Sequence, residues 1–220
     1  MDASQVIKKL KSHANHKNVE GMARFGINPR NTLGVSMPLL RRTAKEIGKD
    51  HKLAQGLWIS GIHEAKILAS LIDDPNLVDS KQMERWVKGF DSWDVCDQTC
   101  MNLFDKTPFV YQKASKWAKE KSEFVRRAGF ALMATLSVHD KKVKDKEFIK
   151  FFPLIKKFST DERNFVRKAN NWALRQIGKR NIFLNKKTIE LAEEIQKINS
   201  KSAKWIAGDA IRELKAKRFK

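Results

Sequence analysis

Cysteine is scarce in this chain of 220 residues, where it occurs only as Cys96 and Cys100. Their spacing of four residues matches neither a zinc-ligand motif nor a redox motif. On a helix, that spacing would place two small side chains on one face, which is typical of buried positions. The pattern fits a reducing cytoplasm, and we predict no metal site.

Long apolar runs are missing as well. No run approaches the roughly 18 apolar residues that a membrane span requires. The chain starts with Met1-Asp2-Ala3-Ser4, which is not the charged and then apolar beginning of a signal peptide. We therefore predict a cytoplasmic protein that has no membrane partner.

Acidic residues are too few to balance the basic ones. The chain has 45 Lys and Arg against 25 Asp and Glu, a formal net charge of +20. Residues 121–220 hold 26 basic and 11 acidic side chains, a net of +15. Such a charge attracts polyanions, so a nucleic-acid footprint is expected mainly in the C-terminal half. The alternatives are an anionic membrane surface, ribosomal RNA, or merely a solvated lysine-rich surface.

Glycine and proline are sparse, and apolar residues recur at spacings of three and four, which predicts helices. We expect about a dozen helices of 8–18 residues and no strand. The positions of proline and glycine predict one helix from Ser36-Met37-Pro38 to about Gly48 and one from Thr107-Pro108 to near Ala118. They also predict a break at Asp73-Asp74-Pro75-Asn76, and a kink or a split at Pro153 within 144–158.

A short segment is repeated in the basic half. Residues 124–128, Phe-Val-Arg-Arg-Ala, recur as 165–169, Phe-Val-Arg-Lys-Ala, 41 residues later. A weaker echo links 173–175 with 210–212, 37 residues on. Helical units with a period near 40 are typical of HEAT and armadillo arrays. We predict an all-α solenoid of HEAT-like repeats with a concave basic face. It should form a single domain spanning 1–220, with its repeat core at 51–216 and less well matched N-terminal helices in 1–50.

Each repeated segment carries a basic pair directly after an aromatic-aliphatic pair. If the apolar pair packs inside, the cations, including Arg127, should emerge along one surface as a ladder suited to a phosphate backbone. Coincidence of ordinary surface charge is the alternative. The predicted DNA-binding cations are Arg126, Arg163, Arg167, Lys168, Arg175 and Lys179.

The segment from Phe90 to Gln98 is typical of a helix start. Asp91 or Ser92 can cap the first N–H groups, and Asp94 suits the positive end of the helix dipole. Asp97 is not explained in this way, because it shares a face with Trp93, Cys100, Met101 and Phe104. A carboxylate on an apolar face is costly unless it is paired or used in function.

Trp172 lies in the repeated basic helix, between Lys168 and Arg175. A tryptophan at helical spacing is more often part of a core. An exposed aromatic ring beside phosphate-binding cations is, however, typical of a nucleic-acid surface.

Three motifs in this order resemble the AlkD-type DNA alkylation repair glycosylases, which are built from HEAT-like repeats. The first is Trp93-Asp94-Val95-Cys96-Asp97, the second is Arg127 within 124–128, and the third is Trp172-Ala173-Leu174-Arg175. Cys96 departs from the familiar motif, and the N-terminal part matches less well.

The resemblance implies hydrolysis of the N-glycosidic bond of cationic alkylated purines, 3-methyladenine and 7-methylguanine, in double-stranded DNA. Asp97 would stabilise the sugar cation and the incoming water, Trp93 and Trp172 would offer π faces, and Arg127 would hold the adjacent phosphate. We expect a monomer without metal or small-molecule cofactor, associated with the nucleoid while acting. Two alternatives are a non-catalytic HEAT-like protein that binds damaged or branched DNA, and a protein–protein scaffold.

Overall fold

A computed structural model describes residues 1–219, and all regular secondary structure in this range is helical. It comprises fourteen α-helices and one short 3₁₀ turn. The all-α prediction is confirmed. No helix of this range is both long and apolar enough to cross a membrane. The chain folds as two compact units, unit 1 (Met1–Thr107) and unit 2 (from Pro108 onward).

Unit 1 contains seven α-helices and the 3₁₀ turn. They are α1 (Ala3–Ser12), α2 (His16–Arg24), α3 (Met37–Ile47), α4 (His51–Ile59), α5 (His63–Ile72), α6 (Ser80–Lys88), α7 (Trp93–Asn102) and the 3₁₀ turn Phe104–Lys106.

Helix α5 is the centre of unit 1. It packs against α1, α3, α4 and α7, and nine of its ten residues are buried. Beside it, the rings of Trp58 and Trp86 stack with centroids 4.0 Å apart and planes 2° apart. Burying aromatic area on this scale is a principal source of folding free energy. Unit 1 therefore has a core of its own, which fixes where α7 begins.

Two predicted boundaries of unit 1 are confirmed. Helix α3 starts at Met37 with Pro38 in its first turn, where the missing N–H costs nothing. It ends at Gly48, whose φ of 77° lies in the left-handed region that favours glycine. The break at 73–76 follows the end of α5.

Unit 2 contains seven α-helices. They are α8 (Val110–Trp117), α9 (Glu123–His139), α10 (Asp145–Ile149), α11 (Phe152–Lys157), α12 (Asn164–Gly178), α13 (Ile182–Gln196) and α14 (Lys201–Ala216). Pro153 lies in the first turn of α11, so the predicted split of 144–158 is confirmed. Helix α8 begins at Val110, two residues after Pro108.

The predicted sequence repeat is a repeat of structure. Phe124 and Phe165 are the second residues of α9 and α12, and their rings lie 5.5 Å apart. The weaker echo is also in register, because Ala173 and Ala210 are the tenth residues of α12 and α14. Helix α12 packs against both α9 and α14, while α8 pairs with α9 and α13 with α14. Unit 2 is thus a stack of helical pairs, in which the basic helices are neighbours.

Candidate functional site

The first predicted site segment opens α7 in unit 1. Ser92 is the N-cap residue, as expected, but its side chain does not cap the helix. The buried Ser92 hydroxyl instead accepts a hydrogen bond from the backbone N–H of Asn28 at 2.8 Å. The capping prediction was therefore wrong, because a donor from another loop of unit 1 competes successfully for this oxygen.

Trp93 and Asp97 lie one turn apart on α7, and both are partly exposed. The indole N–H of Trp93 donates to the backbone oxygen of Phe25 at 3.1 Å, which fixes the ring against the N-terminal segment. Cys100 on the next turn is fully buried. The helix ends at Asn102, so Phe104 belongs to the 3₁₀ turn and does not extend this face as predicted.

Asp94 does more than complement the helix dipole. Its Oδ2 lies 2.8 Å from Nε2 of His63 at the start of α5, and His63 is only 3% exposed. Its Oδ1 accepts from the backbone N–H of Val95. Asp91 in turn accepts from the Asn28 amide at 3.1 Å and lies 3.6 Å from the Lys66 ammonium. Both carboxylates therefore position the start of α7.

The thiol of Cys100 on α7 is inert by environment. Burial raises the pKa of the Cys100 thiol well above its usual value, and contributions from Cys96 and Asp97 act in the same direction. The thiol stays protonated at neutral pH, so it is neither a nucleophile nor a metal ligand. Among residues 1–219, no cluster of three or more His, Cys, Asp and Glu is placed to hold a metal ion.

A cavity of about 830 Å³ lies within unit 1 beside Trp93 and Asp94. Its wall includes Phe25, which is 76% exposed, and Glu64, whose buried carboxylate accepts N–H bonds from Leu33, Gly34 and Val35. The sequence reasoning missed this wall. Its signal in the sequence was Glu64 in a mostly apolar helix, because a carboxylate buried there requires polar partners.

Arg127 lies on α9 of unit 2 and is only 6% exposed. Its Nη1 donates to the backbone oxygen of Phe165 at 2.7 Å, which joins α9 to the start of α12. The expectation that Arg127 emerges on the surface beside Arg126 was wrong. Consecutive side chains on a helix point about 100° apart. Of the two arginines, Arg127 is therefore the one that faces the neighbouring helix α12.

Two of the predicted DNA-binding cations share one carboxylate. Asp161 accepts from Arg126 Nη1 at 2.6 Å and from Arg163 Nε and Nη2 at 2.9 and 2.6 Å. Burial alone would raise the pKa of Asp161, but the hydrogen bonds from Arg163 and Arg126 outweigh it and hold this pKa below its usual value. Arg163 also donates to the backbone oxygen of Lys121 at 2.7 Å. These cations are therefore held by the protein itself.

A second carboxylate engages two more of them. Glu213 of α14 accepts from Arg175 at 2.5 Å and pairs with Lys179, and Arg175 also lies 3.5 Å from Asp209. Burial raises the pKa of Glu213, yet Lys179 and Arg175 lower it by more, so that the net shift is downward. This cluster is close to neutral as a whole.

Arg167 and Lys168 are the members of the predicted ladder that have no carboxylate partner in residues 1–219. The Arg167 guanidinium lies over the ring of Trp205 at 4.8 Å from its centroid. Trp172 on the same helix is partly exposed. Trp205 was not predicted as a site residue, although the pair Lys204-Trp205 on a basic helix could have indicated it.

Three comparisons with known proteins were informative to different degrees. Residues 6–214 match the sequence profile of a family described as DNA alkylation repair enzyme. No curated protein matches the chain by sequence. One solved structure matches with a TM-score of 0.80 at 19% identity, and the match covers 96% of this chain and 95% of that chain. That protein is described as belonging to a new family related to the HEAT-like repeat DNA glycosylases, with affinity for branched DNA structures. A designed armadillo repeat protein in complex with a (KR)4 peptide has a TM-score of 0.46 at 12% identity, covering 96% and 92%. The HEAT-like repeat fold predicted from the sequence is confirmed by the first of these structures.

Proposed function

The chain belongs to the DNA alkylation repair enzyme family, and on that premise we propose that it is a DNA glycosylase. It would hydrolyse the N-glycosidic bond of cationic alkylated purines, 3-methyladenine and 7-methylguanine, in duplex DNA. The observation that carries this proposal is the pairing of a partly exposed carboxylate, Asp97, with an anchored, partly exposed indole, Trp93, one turn away on α7.

The chemistry asks little of the protein beyond electrostatics. As the bond between C1′ and the base nitrogen breaks, both bonding electrons go to the cationic base, which leaves neutral and needs no general acid. The charge that develops at C1′ is stabilised by the carboxylate of Asp97. A water oxygen then bonds to C1′, and its proton passes to that carboxylate or to solvent.

Asp97 is proposed for this role because it is partly exposed and lies one turn from Trp93 on α7. Asp91 and Asp94 hold Asn28 and His63 and so serve the fold of unit 1. Trp93, locked by its hydrogen bond to Phe25, presents a π face that favours a cation. The carboxylate and the ring on one helical face suit a positively charged lesion and sugar.

We further propose that Arg127 and Trp172, both in unit 2, contact the DNA. Arg127 is held by the backbone oxygen of Phe165 and is only 6% exposed, so it would reach a phosphate only with the small part of its guanidinium that stays accessible. Trp172 offers a partly exposed ring on the same basic helix as Arg167 and Lys168. The charge of +15 in residues 121–220 supports DNA as the partner.

Binding without catalysis is the second candidate function. It is favoured by the similarity in fold to a protein whose family is described as having affinity for branched DNA structures. In that case Asp97 would be a structural carboxylate, and the protein would recognise damaged or branched DNA without releasing a base.

Release of 7-methylguanine from methylated duplex DNA under single-turnover conditions distinguishes the two functions. We expect release by the wild type with or without chelator. Asp97→Asn should lower the rate by about 10²- to 10³-fold, the usual loss for one electrostatic stabiliser, while DNA affinity survives. Glu190→Gln is the control, because it neutralises an exposed carboxylate on α13 that pairs with Lys187 and lies outside the segment that opens α7. If the wild type releases no base, catalysis is refuted; if Asp97→Asn releases it at the wild-type rate, Asp97 has no part in the chemistry.

A further inference from the structure

Helix α14 carries an exposed aromatic ring that the proposed excision chemistry does not use. Trp205 is 39% exposed, although large aromatic side chains are usually well buried. Because the guanidinium of Arg167 lies over the ring, one π face is already covered by a cation. The exposed remainder of the indole is a flat apolar surface beside a fixed positive charge.

The position of this pair is set by the packing of α12 on α14. The buried amide of Asn171, one turn after Arg167, donates to the backbone oxygen of Ile206, next to Trp205, at 3.1 Å. A buried polar contact of this kind is costly to break. The arginine and the ring are therefore held in register by the fold before any ligand arrives.

Exposed lysines lie close to Trp205 and Arg167 along the chain. Lys201 and Lys204 are exposed on α14, and Lys168 is exposed next to Arg167. Within residues 1–219, the ammonium groups of these three lysines have no hydrogen bond or ion pair with another side chain. The acidic residue that follows Trp205 by one turn, Asp209, is already engaged by Arg175 and Arg212.

Helix α14 is also open at Gly208. Gly208 follows Trp205 by three residues, and a Cβ added there would meet only a guanidinium nitrogen of Arg212, at 3.8 Å. Lys201, Trp205, Gly208 and Arg212 recur at helical spacing and so lie along one face of α14. That face therefore carries the partly exposed indole between Lys201 and Arg212, and Arg212 is paired with Asp209.

We propose that Trp205, with Arg167, is a stacking platform for an unpaired base of single-stranded DNA, whose phosphates are held by Lys168, Lys201 and Lys204. Stacking on an exposed indole beside cations is how proteins hold single strands without reading their sequence. Duplex DNA keeps its bases stacked on each other and does not offer a free π face to this ring. This inference is independent of base excision, since it assigns a contact to strands that are not paired.

Binding of a thymidine oligonucleotide, compared with a blunt duplex at one salt concentration, tests the platform. Trp205→Ala and Trp205→Leu should both weaken oligonucleotide binding by about 5- to 150-fold, the range found for the loss of one stacked base. Trp205→Phe, which keeps a ring, should retain most of the affinity. All three variants should bind the blunt duplex as the wild type does, which also shows that they are folded.

Three results would overturn the inference. One is wild-type affinity of Trp205→Ala and Trp205→Leu for the oligonucleotide. Another is an equal loss on the blunt duplex, which would mean that Trp205 only orients Arg167 for a phosphate. The third is tighter, Trp205-dependent binding of a uridine oligonucleotide, which would make RNA the ligand. Base release from methylated duplex by Trp205→Ala is expected at the wild-type rate, so that failure of this proposal and failure of the glycosylase proposal are distinguishable.

Discussion

Replacing Glu213 with glutamine is expected to tighten DNA binding. Arg175 and Lys179 are predicted to contact phosphates, yet both are paired with the Glu213 carboxylate. A phosphate must therefore compete with this carboxylate for the same donors. The glutamine removes the negative charge but keeps a similar shape and an oxygen that can accept a hydrogen bond.

The size of the effect follows from one unit of charge. A carboxylate about 7 Å from a phosphate, in surroundings with the dielectric constant of water, repels it by about 0.6 kcal/mol, so binding should tighten about threefold at low salt. One further phosphate neutralised steepens the slope of log affinity against log salt by about 0.9. Between 50 and 200 mM salt, the variant should thus lose about 3.5-fold more affinity than the wild type does.

Fluorescence anisotropy of a labelled duplex across a salt series measures both quantities. Glu190→Gln is the matched control, because Glu190 pairs with Lys187 on α13, outside the predicted ladder, and the variant makes the same change in net charge. Both variants lose only partly exposed ion pairs, which typically contribute little to stability. If Glu213→Gln has the same DNA affinity and the same salt slope as Glu190→Gln, then Arg175 and Lys179 do not contact phosphates. The predicted DNA-binding cations would then exclude these two.

Two further predictions concern the arginines of the repeated segments. Arg127→Ala should weaken both DNA binding and base release, and it should make the slope of log affinity against log salt shallower. It should also lower the free energy of unfolding by about 1–3 kcal/mol, because the Phe165 carbonyl loses its donor. Wild-type DNA affinity, salt slope and thermal stability together would exclude this role. The pKa of Asp161 is lowered in the folded state, so its stabilising contribution is complete above the unfolded pKa of about 4 and is lost as the pH falls through the folded value. Urea unfolding at a series of pH values should therefore show a flatter acid limb for Asp161→Asn than for the wild type, and parallel limbs would mean that the two arginines do not hold this carboxylate.

Local patterns were enough to predict the helices and their register. Pro38 and Gly48 mark helix ends through φ preferences alone, and the spacing of Phe124 and Phe165 records which helices stack. Such features depend on residues close together in the chain, or on repeated segments that pack in the same way because their sequences are alike. The family and the HEAT-like fold were predictable for the same reason, since their motifs are short and ordered.

Partners from distant loops could not be predicted. The sequence offers no sign that the hydroxyl of Ser92 serves Asn28 and not its own helix, or that Asp94 meets His63. The internal pairing of the basic ladder was missed for a related reason. Charge counts treat every arginine alike, whereas Asp161 and Glu213 engage particular ones through the packing of neighbouring repeats.

Asp161 also has a mechanical consequence for unit 2. Its carboxylate holds Arg126 of α9, and its backbone oxygen accepts from the hydroxyl of Ser202 of α14 at 2.9 Å. One loop residue thus fastens the first and last helical pairs of the stack to each other, beyond the nearest-neighbour interfaces on which helical arrays usually depend. An array tied in this way should not fray pair by pair from its C-terminal end. It should unfold as one cooperative block, so the spacing between its cations persists until the whole unit melts.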